Sequence, residues 1–201
     1  MQKNPTSLFV SFKATRAIPV RNAIRRDFMI QSTLDPGVRR IEYHPTSTLF
    51  DRLVRVDALV LDRDDGRFAV DFVDTRSAED PDGEAVLQVG FDEHCSGLLA
   101  VGDADVRREP LFTSAREVWR HAGINIHAAD RAQVLETLES EGPVPVRALK
   151  GLTDTSREVV QVIYALACEG SVALDLRSPL DDRAIVCVGF SAKSAHVRYG
   201  T

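Results

Sequence analysis

Apolar and polar positions alternate in pairs through much of the chain, and a helical spacing interrupts them in a few places. Leu8-Phe9-Val10-Ser11-Phe12 predicts a short strand. From Asn22 to Leu34 the spacing lengthens to that of a helix, with Asn22 a candidate cap and Pro36-Gly37 a stop. Val38 to Tyr43 is β-prone, and His44-Pro45 is expected to break it. Leu53 to Leu61 and Arg67 to Val73 then predict two strands across the acidic turn Asp62-Arg63-Asp64-Asp65-Gly66. In the first of these, Val54, Val56, Ala58 and Val60 share one face, while Asp57 falls on the other with Arg55 and Leu59.

Ser77 to Glu84 reads as an acidic loop, and Ala85 to Phe91 and Leu98 to Val101 as short strands. Ser114-Ala-Arg-Glu117 has the form of a capping box opening a helix that Gly123 closes, with Ile124 to His127 a further strand. After Asp130 the pattern becomes mostly helical. Helices are expected over Arg131 to Ser140 and Val146 to Lys150, with a third capped by Thr155-Ser156 and ended by Gly170. The apolar runs SVALDL and RAIVCVGF then predict a hairpin. Three helices and a hairpin suggest a winged helix-turn-helix. The expected architecture is α/β, with a mixed layer over residues 1–128 and a winged helix over residues 129–201.

Composition narrows the class. The chain has 201 residues, 44% hydrophobic and 27% charged, as soluble globular proteins do. No apolar run approaches the roughly 20 residues that cross a bilayer, so no membrane partner is expected. The first residues lack the layout of a secretory signal. Cys95, Cys168 and Cys187 form no paired spacing, which fits reduced thiols and a cytoplasmic location. The net charge of −5 hides an uneven distribution. Residues 1–55 hold ten Lys/Arg against four Asp/Glu, and residues 56–110 hold five against fifteen. A basic first quarter can meet phosphate despite the acidic average.

Two strands joined by an acidic turn, each with a carboxylate (Asp57 and Asp71), form the arrangement that metal-dependent phosphodiesterases use to hold Mg²⁺. Solvated strand charges are the other reading. A third acid or a lysine normally completes such a site, and Val73, two residues after Asp71, is neither. His94-Cys95 is followed by no second pair at ligand spacing, so it reads as structural.

The order of motifs goes further. Asn22-Ala-Ile-Arg25-Arg26-Asp27-Phe28, Leu34-Asp-Pro-Gly-Val38, Tyr43-His-Pro45, Val56-Asp57-Ala-Leu-Val60 and Val70-Asp71-Phe72-Val73 follow one another along the chain. This succession resembles the TnsA-like transposon endonucleases of the restriction-endonuclease-like superfamily. The likeness continues through Trp119, Ile124 to His127 and the ending Gly170-Ser-Val-Ala-Leu-Asp175. It implies a restriction-endonuclease-like mixed sheet flanked by helices, followed by the winged helix. Of the family's catalytic set it implies Asp57 and Asp71 as retained carboxylates. The helix glutamate falls on Arg25 and the lysine on Val73.

A guanidinium at the glutamate position opposes metal binding, and an ion pair from Arg25 to Asp57 or Asp71 could take the metal's place. The implied protein is therefore an inactive homologue of Mg²⁺-dependent DNA endonucleases. No cofactor is expected, with Mg²⁺ bound by Asp57 and Asp71 only in an active enzyme. DNA is the expected partner, through Arg25, Arg26, Arg39, Arg40 and Arg55. A transposition ATPase or other protein is expected at the winged helix, whose third helix offers Arg157, Glu158, Gln161 and Glu169. An active nuclease, and an interaction module without nucleic acid, are the alternatives.

Overall fold

A computed structural model describes residues 7–49, 52–75, 89–91 and 95–189. By contacts the chain divides into two compact units, Met1–Thr33 with Gly37–Arg107, and Leu34–Pro36 with Arg108–Thr201. The architecture is mixed α/β.

In the first unit, β1 (Leu8–Phe9) pairs antiparallel with β2 (Ile18–Pro19). The predicted strand to Phe12 is thus cut to two residues, because only Leu8 and Phe9 find partners across the ladder. Helix α1 (Ala23–Leu34) begins where its sequence says it should. The Asn22 carboxamide oxygen accepts the Arg25 amide at 2.8 Å, satisfying one of the helix's orphan donors.

A four-stranded sheet follows, in the order β3 (Val38–Leu49), β4 (Arg52–Arg63), β5 (Gly66–Phe72), β6 (Gly97–Val101). The first three strands form an antiparallel meander and β6 joins parallel to β5. Gly66 turns the β4–β5 hairpin at φ 139°, a conformation L side chains resist. One face of the sheet packs against α1, where Phe28 meets Phe72 edge-on at 5.3 Å. The other face carries Ala58, Val60 and Ala69 under Phe91, with Val56, Cys95 and Leu98 at the margin. Burying side chains such as Leu59 and Leu61, each about 1% exposed, contributes about 2 kcal/mol apiece.

The expected break at His44-Pro45 does not occur, and β3 runs on to Leu49. Pro45 has no amide hydrogen for the ladder, and the strands accommodate it by slipping: His44 faces Ala58, but Thr46 faces Arg55. β4 therefore contains one extra residue at this point, a bulge. Residues 77–84, read as an acidic loop, and 85–88 lie outside the described residues. Val89 to Phe91 are helical rather than extended, placing Phe91 over the sheet.

In the second unit, α2 (Leu111–Trp119) starts a turn before the expected capping box. Ser114 is inside this helix and buried, its amide bonded to the Pro110 carbonyl at 2.9 Å. The capping is done instead by Glu109, whose carboxylate accepts the Thr113 amide at 3.2 Å and hydroxyl at 2.6 Å. Ile124 to His127 form no strand: after Gly123, at φ 80°, the segment has no ladder partner, though Ile126 is buried. The order is then α3 (Ala128–Glu141), β7 (Val144–Pro145), α4 (Val146–Leu152), α5 (Val159–Cys168), β8 (Val172–Leu174) and β9 (Ile185–Val188). The three strands form one antiparallel sheet with β9 in the middle. Ser156 does not cap α5. Its amide and hydroxyl bond the buried Asp130 carboxylate at 2.9 and 2.6 Å, and these bonds hold that carboxyl below its usual range.

Candidate functional site

The bulge decides the geometry around Asp57. With an extra residue to accommodate, the backbone at Asp57 turns to φ 47°, the one non-glycine residue with positive φ among those described. Aspartate tolerates this left-handed region better than most residues, yet the conformation still has a cost of about 1 kcal/mol. Such outliers persist only where surrounding contacts enforce them, and here those contacts are polar.

Three side chains converge on Asp57. Arg21, between β2 and α1, grips the carboxylate through its fork, with Nε to Oδ2 and Nη2 to Oδ1 both at 3.0 Å. Arg25, one turn into α1, gives Nη1 to Oδ2 at 2.9 Å and Nη2 to the Asp57 carbonyl at 2.6 Å. The Tyr43 hydroxyl donates to Oδ1. Tyr43 is in reach because register places it opposite Leu59, on the sheet face that α1 covers. The floor beneath Arg25 is aromatic: its guanidinium lies 5.1 Å over the Phe72 ring. Arg16 completes the arc, donating Nη2 to the Tyr43 carbonyl and lying 5.4 Å over the Tyr43 ring.

The electrostatics follow from these contacts. Burial by itself raises the Asp57 pKa, but hydrogen bonds from Arg21 and Tyr43 and the charge of Arg25 outweigh it and hold the carboxyl below its usual range. The Tyr43 hydroxyl is pushed up, first by burial and then by the Asp57 carboxylate it donates to. The Arg21 guanidinium is raised by the Asp57 and Tyr43 hydrogen bonds.

The other residues singled out in the sequence are placed differently. Asp71 is 4% exposed and lies in β5 beside Phe72. Strand alternation gives it the face of Ala69, whereas Arg25 stacks on Phe72, which has the face of Val70. Val73 leaves the sheet into a 3₁₀ turn, Val73–Thr75, and is exposed. Arg26 and Arg55 are exposed. Arg39 pairs with Asp64 at 2.7 Å and Arg40 with Glu42 at 3.5 Å. Arg21 and Arg16 were not singled out in the sequence, and Tyr43 entered only within the motif Tyr43-His-Pro45, with no role at the site. A pointer existed for Arg21 alone, since it directly precedes the capping asparagine.

Magnesium does not fit these donors. It takes oxygen ligands in octahedral array, whereas both Asp57 oxygens already accept from cationic or hydroxyl donors. No group of three or more His, Cys, Asp or Glu able to hold a metal occurs among the described residues.

In the second unit, α5 is enclosed: every residue from Val162 to Cys168 is buried, and Gln161 is the exposed position of the helix. Helix α2 covers part of it, with the Cys168 thiol donating to the Val118 carbonyl at 3.3 Å and His121 edge-on to Tyr164 at 5.2 Å. No helix among the described residues is long and apolar enough to cross a membrane. No protein-family model matches this chain, and no curated protein matches it either.

Proposed function

We propose that the chain is a catalytically degenerate TnsA-like protein that binds DNA, or a DNA recombination complex, without cutting it. The observation that carries this reading is the pair of guanidiniums, Arg21 and Arg25, closed on Asp57. In a metal-dependent nuclease that carboxylate holds a cation that polarises phosphate and activates water. Here two fixed positive side chains occupy it, so electrostatic attraction for phosphate is kept while the source of a nucleophilic hydroxide is lost. The order α1, three-stranded meander, then a parallel fourth strand supports a restriction-endonuclease-like core. The order helix, strand, helix, helix, strand, strand supports a winged helix in the second unit.

That second unit is proposed to meet a protein, such as a transposition ATPase, rather than to read DNA. A recognition helix needs an outward face for base edges and phosphates, and α5 exposes little beyond Gln161. A cytoplasmic location is part of the same proposal.

The test is a nicking assay on supercoiled DNA with Mg²⁺ or Mn²⁺, run beside a binding titration. Binding that weakens with salt and no cleavage is the expected result. Cleavage by the wild-type chain that disappears in Asp57→Ala would sink the degenerate-site reading.

A further inference from the structure

The arginines around Asp57 are not equivalent, and their differences locate a ligand site. Arg25 commits both terminal nitrogens to Asp57 and its side chain is only 12% exposed, so it is a buttress. Arg21 uses Nε and Nη2 on Asp57, leaving Nη1 with no protein acceptor among the described residues, and its side chain is 35% exposed. Arg16 is exposed and commits Nη2 to the Tyr43 carbonyl. Arg21 and Arg25 therefore share one carboxylate, Arg16 lies over the ring of the Tyr43 that donates to it, and the surplus charge lies at the solvent edge, on Arg21 and Arg16. Arg39, by contrast, is matched by Asp64, while Arg40 and Arg67 share Glu42. Guanidiniums outnumber carboxylates by two around Asp57 and Tyr43, and by one at the start of β3, so the Asp57 bulge is the better place for an anion.

We propose that Arg21 and Arg16 form a phosphate-binding site, buttressed by Arg25 and Asp57, that takes a backbone phosphate of duplex DNA. This rests on the DNA-binding reading above. The guanidinium fork suits an oxyanion with two accepting oxygens, and the Asp57 grip fixes the Arg21 plane so that little rotamer freedom is lost on binding. Asp57 acts here as a positioning residue whose bonds aim Arg21.

The experiment is fluorescence anisotropy of the full chain with a short labelled duplex over a salt series, for wild type, R21Q, R16Q and R39Q. Each phosphate contact contributes about one to the slope of log affinity against log salt. R21Q and R16Q are each expected to weaken binding and lower that slope by about one, with R39Q unchanged. Inorganic pyrophosphate is expected to compete with the duplex for wild type more strongly than for R16Q. Because R21Q also breaks the grip on Asp57, R16Q, which leaves that pair intact, keeps the test valid if R21Q unfolds. Salt-dependent wild-type binding that R16Q and R21Q leave unaltered overturns this site and spares the DNA-binding reading. Undetectable or salt-independent wild-type binding overturns both.

Discussion

Asp57→Asn removes the negative charge at the bulge while keeping size and one acceptor oxygen. The wild-type carboxylate accepts from the Arg21 fork, Arg25 and Tyr43. Charge-assisted bonds of this kind each contribute about 1.5–3 kcal/mol when sheltered. Asp57 is 24% exposed and Arg21 35%, so solvent screening cuts their pair well below that figure. Asparagine also adopts the left-handed region slightly more readily, which offsets a few tenths of a kcal/mol. The expected net loss is about 2 kcal/mol of unfolding free energy, read from urea denaturation at neutral pH.

The pH dependence gives the prediction its sign. The native pKa of Asp57 is depressed, so its contribution is present above the unfolded value of about 3.9 and is lost as pH falls through the native value. The wild type and Asp57→Asn should therefore differ steadily from about pH 7 to about pH 4 and converge below. A gap unchanged at low pH, or none at neutral pH, would refute the electrostatic account. Asp57→Gly separates charge from strain: at φ 47° it should be about 1 kcal/mol more stable than Asp57→Ala.

Three further outcomes follow from other parts of the structure. Gly189→Ala would set a Cβ 2.2 Å from the Gly170 carbonyl oxygen, a backbone atom that cannot swing aside, and should lower stability by about 2 kcal/mol in the same urea assay. The Cys168 thiol, whose pKa burial pushes up to about 12, should stay unmodified by a thiol reagent in the native state and react once the chain is unfolded in denaturant, as mass spectrometry of the labelled peptides would show. Arg39→Gln removes an exposed ion pair with Asp64 and should lower the melting temperature by no more than about 2–4 °C, since such pairs contribute about 0–1 kcal/mol.

Much of the scaffold was legible along the chain because it rests on local rules. The Asn22 cap, the Gly66 turn, the alternation of Val56, Ala58 and Val60 toward one face and the terminal hairpin all follow from periodicity and backbone preference. Local rules failed where a distant partner took over. Ser156 reads as a cap until Asp130 claims it, and the proline at position 45 reads as a break until β4 absorbs the mismatch. Val89 to Phe91 alternate too weakly to distinguish a helical turn from a strand.

The candidate site divides in the same way. Sequence order alone determined that Asp57 lies within a strand, that Arg25 stands one turn into a helix after a capped start, and that the first quarter is basic. It could not determine that Arg21, Arg25 and Tyr43 meet at that one carboxylate. Their meeting depends on which sheet face the helix covers, on a register that sets Tyr43 opposite Leu59, and on a bulge that turns Asp57 toward them. Those are distances between residues up to 36 positions apart. Hydrophobic packing and ladder pairing fix them together, and only the folded chain specifies both.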